Sequence, residues 1–115
     1  MNRRGDEDKQ EFKERFHRVA KSVMKKVARD IGLEKGQYDL RSNKGGPAVL
    51  GEVTLHADGL YVMMGGSFFS AGDTVMYRTC RDRKDYSGGV NRWATYEELV
   101  DGKLTETFRR MVRDV

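Results

Sequence analysis

Gly51–Met64, GEVTLHADGLYVMM, is the stretch that decides the fold. Val53 and Leu55 alternate with Glu52, Thr54 and His56, a period of two that belongs to a strand with two unlike faces. Asp58-Gly59 interrupts the run with a pair suited to a two-residue hairpin. Leu60–Met64 then reads as the return strand. Working upstream, Val49 and Gly51 extend the Val53 and Leu55 face. The turn Asn43-Lys44-Gly45-Gly46-Pro47 precedes them, and Tyr38 and Leu40 alternate with Asp39 and Arg41 before it.

Outside this β region the period changes. Phe12, Phe16, Val19, Val23, Val27 and Ile31 recur at spacings of three and four, joined at the edge by Ala20 and Met24. At about 100° per residue they share one helix face. Asp8 followed by Glu11 resembles a capping box, so the helix is expected over Asp8–Ile31, ended by Gly32 or Gly36, behind a flexible leader at residues 1–7. Arg18, Lys21, Lys25 and Arg29 fall almost opposite the apolar stripe.

Downstream, Gly65–Asp73 reads as a loop, Thr74–Cys80 as a further strand, and Asn91–Ala94 as its antiparallel partner. Thr95 with Glu98 forms a second capping box, opening a short helix at Tyr96–Val100 that Gly102 interrupts. Leu104, Phe108, Met111, Val112 and Val115 give a terminal helix with an apolar stripe. The expectation is a single α+β domain over 1–115: an amphipathic helix, a four- to five-stranded antiparallel meander, then a C-terminal helix.

Charged residues make up 35% of the chain and hydrophobic ones 37%. That is polar, but the apolar residues are ordered into periodic segments, which indicates a folded chain and not a disordered one. Net charge is +4 and unevenly spread. Residues 1–36 carry 11 Lys/Arg against 7 Asp/Glu, residues 37–75 carry 2 against 4, and residues 76–115 carry 9 against 7. Basic ends around an acidic middle favour an anionic partner, either nucleic acid or an acidic protein face. One cysteine makes an internal disulfide impossible, which fits a reducing cytoplasm. No apolar run approaches the ~18 residues of a membrane span, so no membrane partner is expected.

The candidate functional segment is Arg78–Trp93, RTCRDRKDYSGGVNRW. Five cations (Arg78, Arg81, Arg83, Lys84, Arg92) stand against Asp82 and Asp85, with Tyr86 and the chain's only tryptophan among them. Guanidinium groups pair bidentately with phosphate, and aromatic faces stack on bases, as in single-strand binders. Equally, Asp82 and Asp85 can neutralise Arg83 and Arg81, and a lone Trp usually belongs to a core. Lys21, Lys25 and Arg29 would extend a nucleic-acid footprint if the helix lies beside the turn. The second candidate surface is Met63, Phe68 and Phe69, a glycine-flanked apolar loop suited to docking a protein. No catalytic constellation stands out: Cys80 and His56 lack an orienting third group, and no His/Cys pair has metal-ligand spacing. The glycine pairs do not match phosphate-loop fingerprints. Neither enzyme activity nor a cofactor is expected.

The blocks Tyr38–Val62, YDLRSNKGGPAVLGEVTLHADGLYV, and Met76–Ala94, MYRTCRDRKDYSGGVNRWA, resemble a small family of proteins encoded by bacteriophages and prophages. The resemblance covers about Tyr38–Ala94, and GEVTLHADGLYV and RTCRDRKDYSGG are its most specific parts. It implies a phage or prophage origin and action in the cytoplasm of a bacterial host, and it implies no activity. The expected partner is nucleic acid or a nucleic-acid-processing complex. The alternative is a host protein complex, such as a host factor or a defence system, engaged through the Phe/Met loop.

Overall fold

The computed structural model describes residues 3–44, 51–65 and 75–113. Helix α1 (Arg3–Asp30) is followed by β1 (Tyr38–Asn43), β2 (Glu52–Ala57), β3 (Leu60–Gly65), β4 (Val75–Arg78) and β5 (Arg92–Ala94), then α2 (Tyr96–Val100) and α3 (Thr105–Arg113). The strands form one sheet in the order β1-β2-β3-β4-β5, every neighbour antiparallel. This is the α+β meander expected from the alternation.

The register explains why one face is core. Leu40, Leu55, Val62 and Tyr77 lie in one row across four strands, and Val53, Met64, Val75 and Ala94 in another. Because successive residues of a strand point to opposite faces, both rows face the same way. Helix α1 covers that face over β1 and β2, and α3 covers it over β3. Phe16, Ala20, Met24, Val27, Ala28 and Ile31 of α1 meet Val53, Leu55 and Val62 there, with Leu99, Leu104 and Phe108 closing the other side. Tyr77 meets Phe108 edge to face, 5.2 Å between ring centres.

Two expectations for α1 need correction. The helix begins at Arg3, not after Asp8, so most of the supposed leader is helical. The buried stripe is also rotated. Ala20, Met24 and Ala28 are fully buried, whereas Phe12, Val19 and Val23 are half-buried at the edge. Small Ala20 and Ala28 let the helix approach the sheet closely, and this moves the contact line toward them. Lys13 and His17 are drawn into the buried side as well. His17 Nδ1 lies 2.6 Å from Ser42 Oγ, a hydrogen bond that ties α1 to β1.

The end of α1 is built as the sequence implied. Gly32 adopts φ +85°, its N–H donates to Arg29 O (3.0 Å), and Leu33 N–H donates to Ala28 O (2.8 Å). This pair of bonds is the Schellman arrangement, which needs a left-handed residue at its corner. Arg109 of α3 donates twice to Asp30 O, at 2.7 and 3.1 Å, placing a cation on the negative end of the dipole. The Thr95/Glu98 capping box opens α2, with Thr95 Oγ1 accepting from Glu98 N–H at 3.1 Å. Asp58-Gly59 closes the β2–β3 hairpin.

Candidate nucleic-acid interface at the Arg78–Trp93 turn

β4 stops at Arg78, earlier than the Cys80 end expected from sequence, and the chain runs through thirteen residues, Thr79–Asn91, before β5. Short acidic side chains fold this segment by satisfying its backbone donors. Asp82 Oδ1 accepts Lys84 N–H (2.7 Å), and Asp85 Oδ2 accepts Arg81 N–H (2.9 Å). Asp85 Oδ1 takes the Ser87 N–H and hydroxyl, at 3.1 and 3.3 Å. Asp58 reaches over from the β2–β3 hairpin to accept Arg83 N–H (3.1 Å). The Arg81 and Ser87 N–H donors hold the Asp85 carboxyl below the ordinary aspartate value. Asp82 and Asp85 thus bond main-chain groups and form no ion pair with Arg83 or Arg81 among the described residues, although Asp85 attracts Arg81 electrostatically.

Gly88 and Gly89 serve the turn through close backbone packing. Neither has a positive φ. A Cβ on Gly88 would stand 2.1 Å from Thr79 O, and Gly89 N–H donates to that same oxygen at 2.8 Å. Glycine is required because the two ends of the turn touch through their backbones.

The five cations of the turn divide into two groups. Arg78 lies over Tyr61, its Cζ 4.6 Å from the ring centre, while its guanidinium donates to Tyr86 O and, at 3.4 Å, to Asn91 Oδ1. Arg83 donates to Gly36 O (2.8 Å) and lies 3.9 Å from Asp39. These two staple the turn to the sheet and to the α1–β1 connection. Arg81, Lys84 and Arg92 are exposed, and none has a side-chain hydrogen bond or ion pair among the described residues.

The aromatic residues occupy the sheet face that no described helix covers. Thr54, Met63, Met76 and Trp93 form one row on it, with Arg41 beyond Thr54. Asp39, His56, Tyr61 and Arg78 form the next. Trp93, expected in the core, is 55% exposed, because its even step along β5 points away from the helices. Tyr86 folds back over this face at 50% exposure, edge-on to His56 at 5.1 Å, with Arg41 Cζ 5.5 Å from its ring centre. Arg41 was not singled out from sequence, although its alternation in β1 already placed it opposite the core.

The remaining candidates are scattered. Lys25 and Arg29 lie exposed on the far side of α1, and Lys21 is half-buried at its edge. Met63 is half-buried on the outer face, and Phe68 and Phe69 lie outside the described residues. Cys80 is buried and its Sγ donates to Ala57 O at 3.2 Å, not to His56. Burial pushes that thiol's pKa up, and burial likewise disfavours the charged form of His56. Among the described residues no group of three His, Cys, Asp or Glu could hold a metal ion, and no helix is long and apolar enough to cross a membrane. Comparison with family models, curated proteins and solved structures finds no match for this chain.

Proposed function

We propose that this chain is a small phage-type binding protein that acts inside a bacterial cell and grips nucleic acid, single-stranded in particular, through the Arg78–Trp93 turn. One observation carries the reading. Two exposed cations without side-chain hydrogen bonds or ion pairs among the described residues, Arg81 and Lys84, project from a backbone pinned by Asp58, Asp82 and Asp85, on a turn that also carries half-exposed Tyr86 and leads to half-exposed Trp93. Pinning the turn before binding reduces the ordering cost that a flexible basic loop would incur. In this reading the cations contact phosphates, and Trp93 is the main stacking surface, since Arg41 already covers Tyr86. Tyr86 sits over β2 and Trp93 on β5, three strand spacings or roughly 14 Å apart, so an extended strand can engage both.

The test is titration with short DNA and RNA single strands, followed by quenching of the only tryptophan. The log–log salt slope is expected to be about −0.7 for each phosphate contacted, so Arg81→Ala with Lys84→Ala should reduce its magnitude by roughly 1.4. Trp93→Ala should cost ~1–3 kcal/mol and leave the slope nearly unchanged. Binding that ignores salt, or none at low salt, rejects the reading. The half-buried Met63 beside Met76 and exposed Trp93 supports the protein-docking alternative, which would then stand first.

A further inference from the structure

On the other side of β5 lies a cavity that shares only Arg81 with the strand-binding reading. Arg92 precedes Trp93 and so points to the opposite face, in register with Tyr77 and toward α3. There it lines a cavity of about 650 Å³ with Arg81, Arg110, Thr79, Thr107 and Met111. Three arginines from three separate segments (the turn, β5 and α3) line one space, and no acidic residue lines it. Arg92 and Arg110 have no side-chain partner among the described residues. Asp85, which accepts the Arg81 N–H and attracts its side chain electrostatically without an ion pair, lies in the adjoining depression.

Like charges gathered in this way repel one another, and an anion of matching charge relieves the repulsion. Guanidinium forks select planar-bidentate oxyanions, and the Thr79 and Thr107 hydroxyls add neutral donors at the wall. A diester within a strand carries one negative charge, whereas a phosphomonoester carries about −1.5 to −2 near neutral pH. Three cations suit the second better. The volume lies within the ~300–1,000 Å³ of small-molecule sites, larger than a bare phosphate needs, which leaves space for the attached sugar beside Met111.

We infer that the cavity formed by Arg81, Arg92 and Arg110 is a phosphomonoester site, suited to the terminal phosphate of a nucleotide or of a nucleic-acid strand. It deepens the proposed function, and it rests on that reading for the polymer but not for the phosphate group.

The experiment has two arms. Thermal melting of the full chain in inorganic phosphate, against succinate and chloride at matched pH and ionic strength, tests the cavity alone. Phosphate should raise the melting temperature saturably, as any ligand of the native state does. Arg110→Gln should abolish the rise, while Lys103→Gln, on an exposed cation elsewhere, should retain it. Melting in chloride verifies that each variant folds, and Arg110→Lys, which keeps the charge but loses the fork, should respond only partly. An equal rise with succinate, or an undiminished rise in Arg110→Gln, overturns the phosphomonoester assignment. The second arm compares 5′-phosphorylated and 3′-phosphorylated strands with their hydroxyl counterparts, using a nucleoside monophosphate as competitor. A preference of roughly tenfold or more for one phosphorylated end, lost in Arg110→Gln, supports the site at a strand terminus. A mononucleotide that binds while strands do not supports the site with a free nucleotide and rejects strand binding. Strands that bind equally with and without terminal phosphate, together with no phosphate effect on melting, leave strand binding standing and overturn the cavity.

Discussion

Gly88→Ala isolates the contact that closes the Arg-rich turn. The new Cβ would meet Thr79 O at 2.1 Å, Cys80 Cα at 3.0 Å and Thr79 C at 3.1 Å, all backbone atoms that cannot rotate away. One strand of the turn must retreat by roughly 1 Å or more, an overpacking cost of ~1–3 kcal/mol. The retreat pulls Gly89 N–H off Thr79 O, now 2.8 Å away, which adds ~0.5–1.5 kcal/mol. The expected destabilisation is therefore about 1.5–4.5 kcal/mol. A domain of this size, with ~5–15 kcal/mol in total, should remain folded but weakened. Urea unfolding should show a lower midpoint with an unchanged slope, because the surface exposed on unfolding does not change. Amide exchange should report faster opening at Gly89 than at Leu55 in the sheet centre. Gly32→Ala is the control of opposite physics. It has open space, with nothing within 4 Å, but φ +85°, so its cost of about 1–2 kcal/mol is backbone strain alone. A Gly88→Ala chain within ~0.5 kcal/mol of wild type, with Gly89 still protected, would refute the close-contact argument.

Phe16→Ala should cost ~3–5 kcal/mol, because the ring is fully buried, whereas Val23→Ala at the helix edge should cost only about 1 kcal/mol in the same unfolding assay. Equal costs would mean that the contact line runs through the valines after all. Cys80 should label slowly with thiol reagents in the native state and at once in denaturant, since burial raises its pKa and its Sγ–H is held by Ala57 O. Rapid native labelling would contradict that placement. Burial lowers the His56 pKa from 6.5, against opposing pulls from the Asp82 and Asp85 main chain and the Asp39 carboxylate, with Arg41 adding to the lowering. The unfolded chain therefore takes up a proton near pH 6.5 before the folded chain does. Stability should fall as pH drops from about 6.5 toward the folded pKa and level off below it. His56→Gln should flatten that segment of the stability–pH curve; an unchanged slope would remove His56 as its cause.

Local chemistry made much of the architecture legible from the residues alone. The alternation in Val53–Leu55 and Leu60–Met64, the Asp58-Gly59 hairpin, the Thr95/Glu98 box and the Gly32 stop each act within a few residues. Their signals do not depend on what packs against them. The amphipathic period of α1 likewise required a helix, but it left the contact line undecided between the valines and Ala20/Met24/Ala28. That choice belongs to the sheet surface the helix meets, and close approach favours the small side chains. The same division holds at the site. The residue types of Arg78–Trp93 announced a cation-rich, aromatic turn, while the use of each charge depended on partners distant in sequence. Arg83 is taken by Gly36 and Asp39, Arg78 by Tyr61 and Tyr86, and Arg92 lines one cavity with Arg110, eighteen positions away. A sequence specifies how many charges a turn carries. Which of them remain for a partner is decided only when tertiary packing brings the competing carboxylates, carbonyls and rings within hydrogen-bond reach.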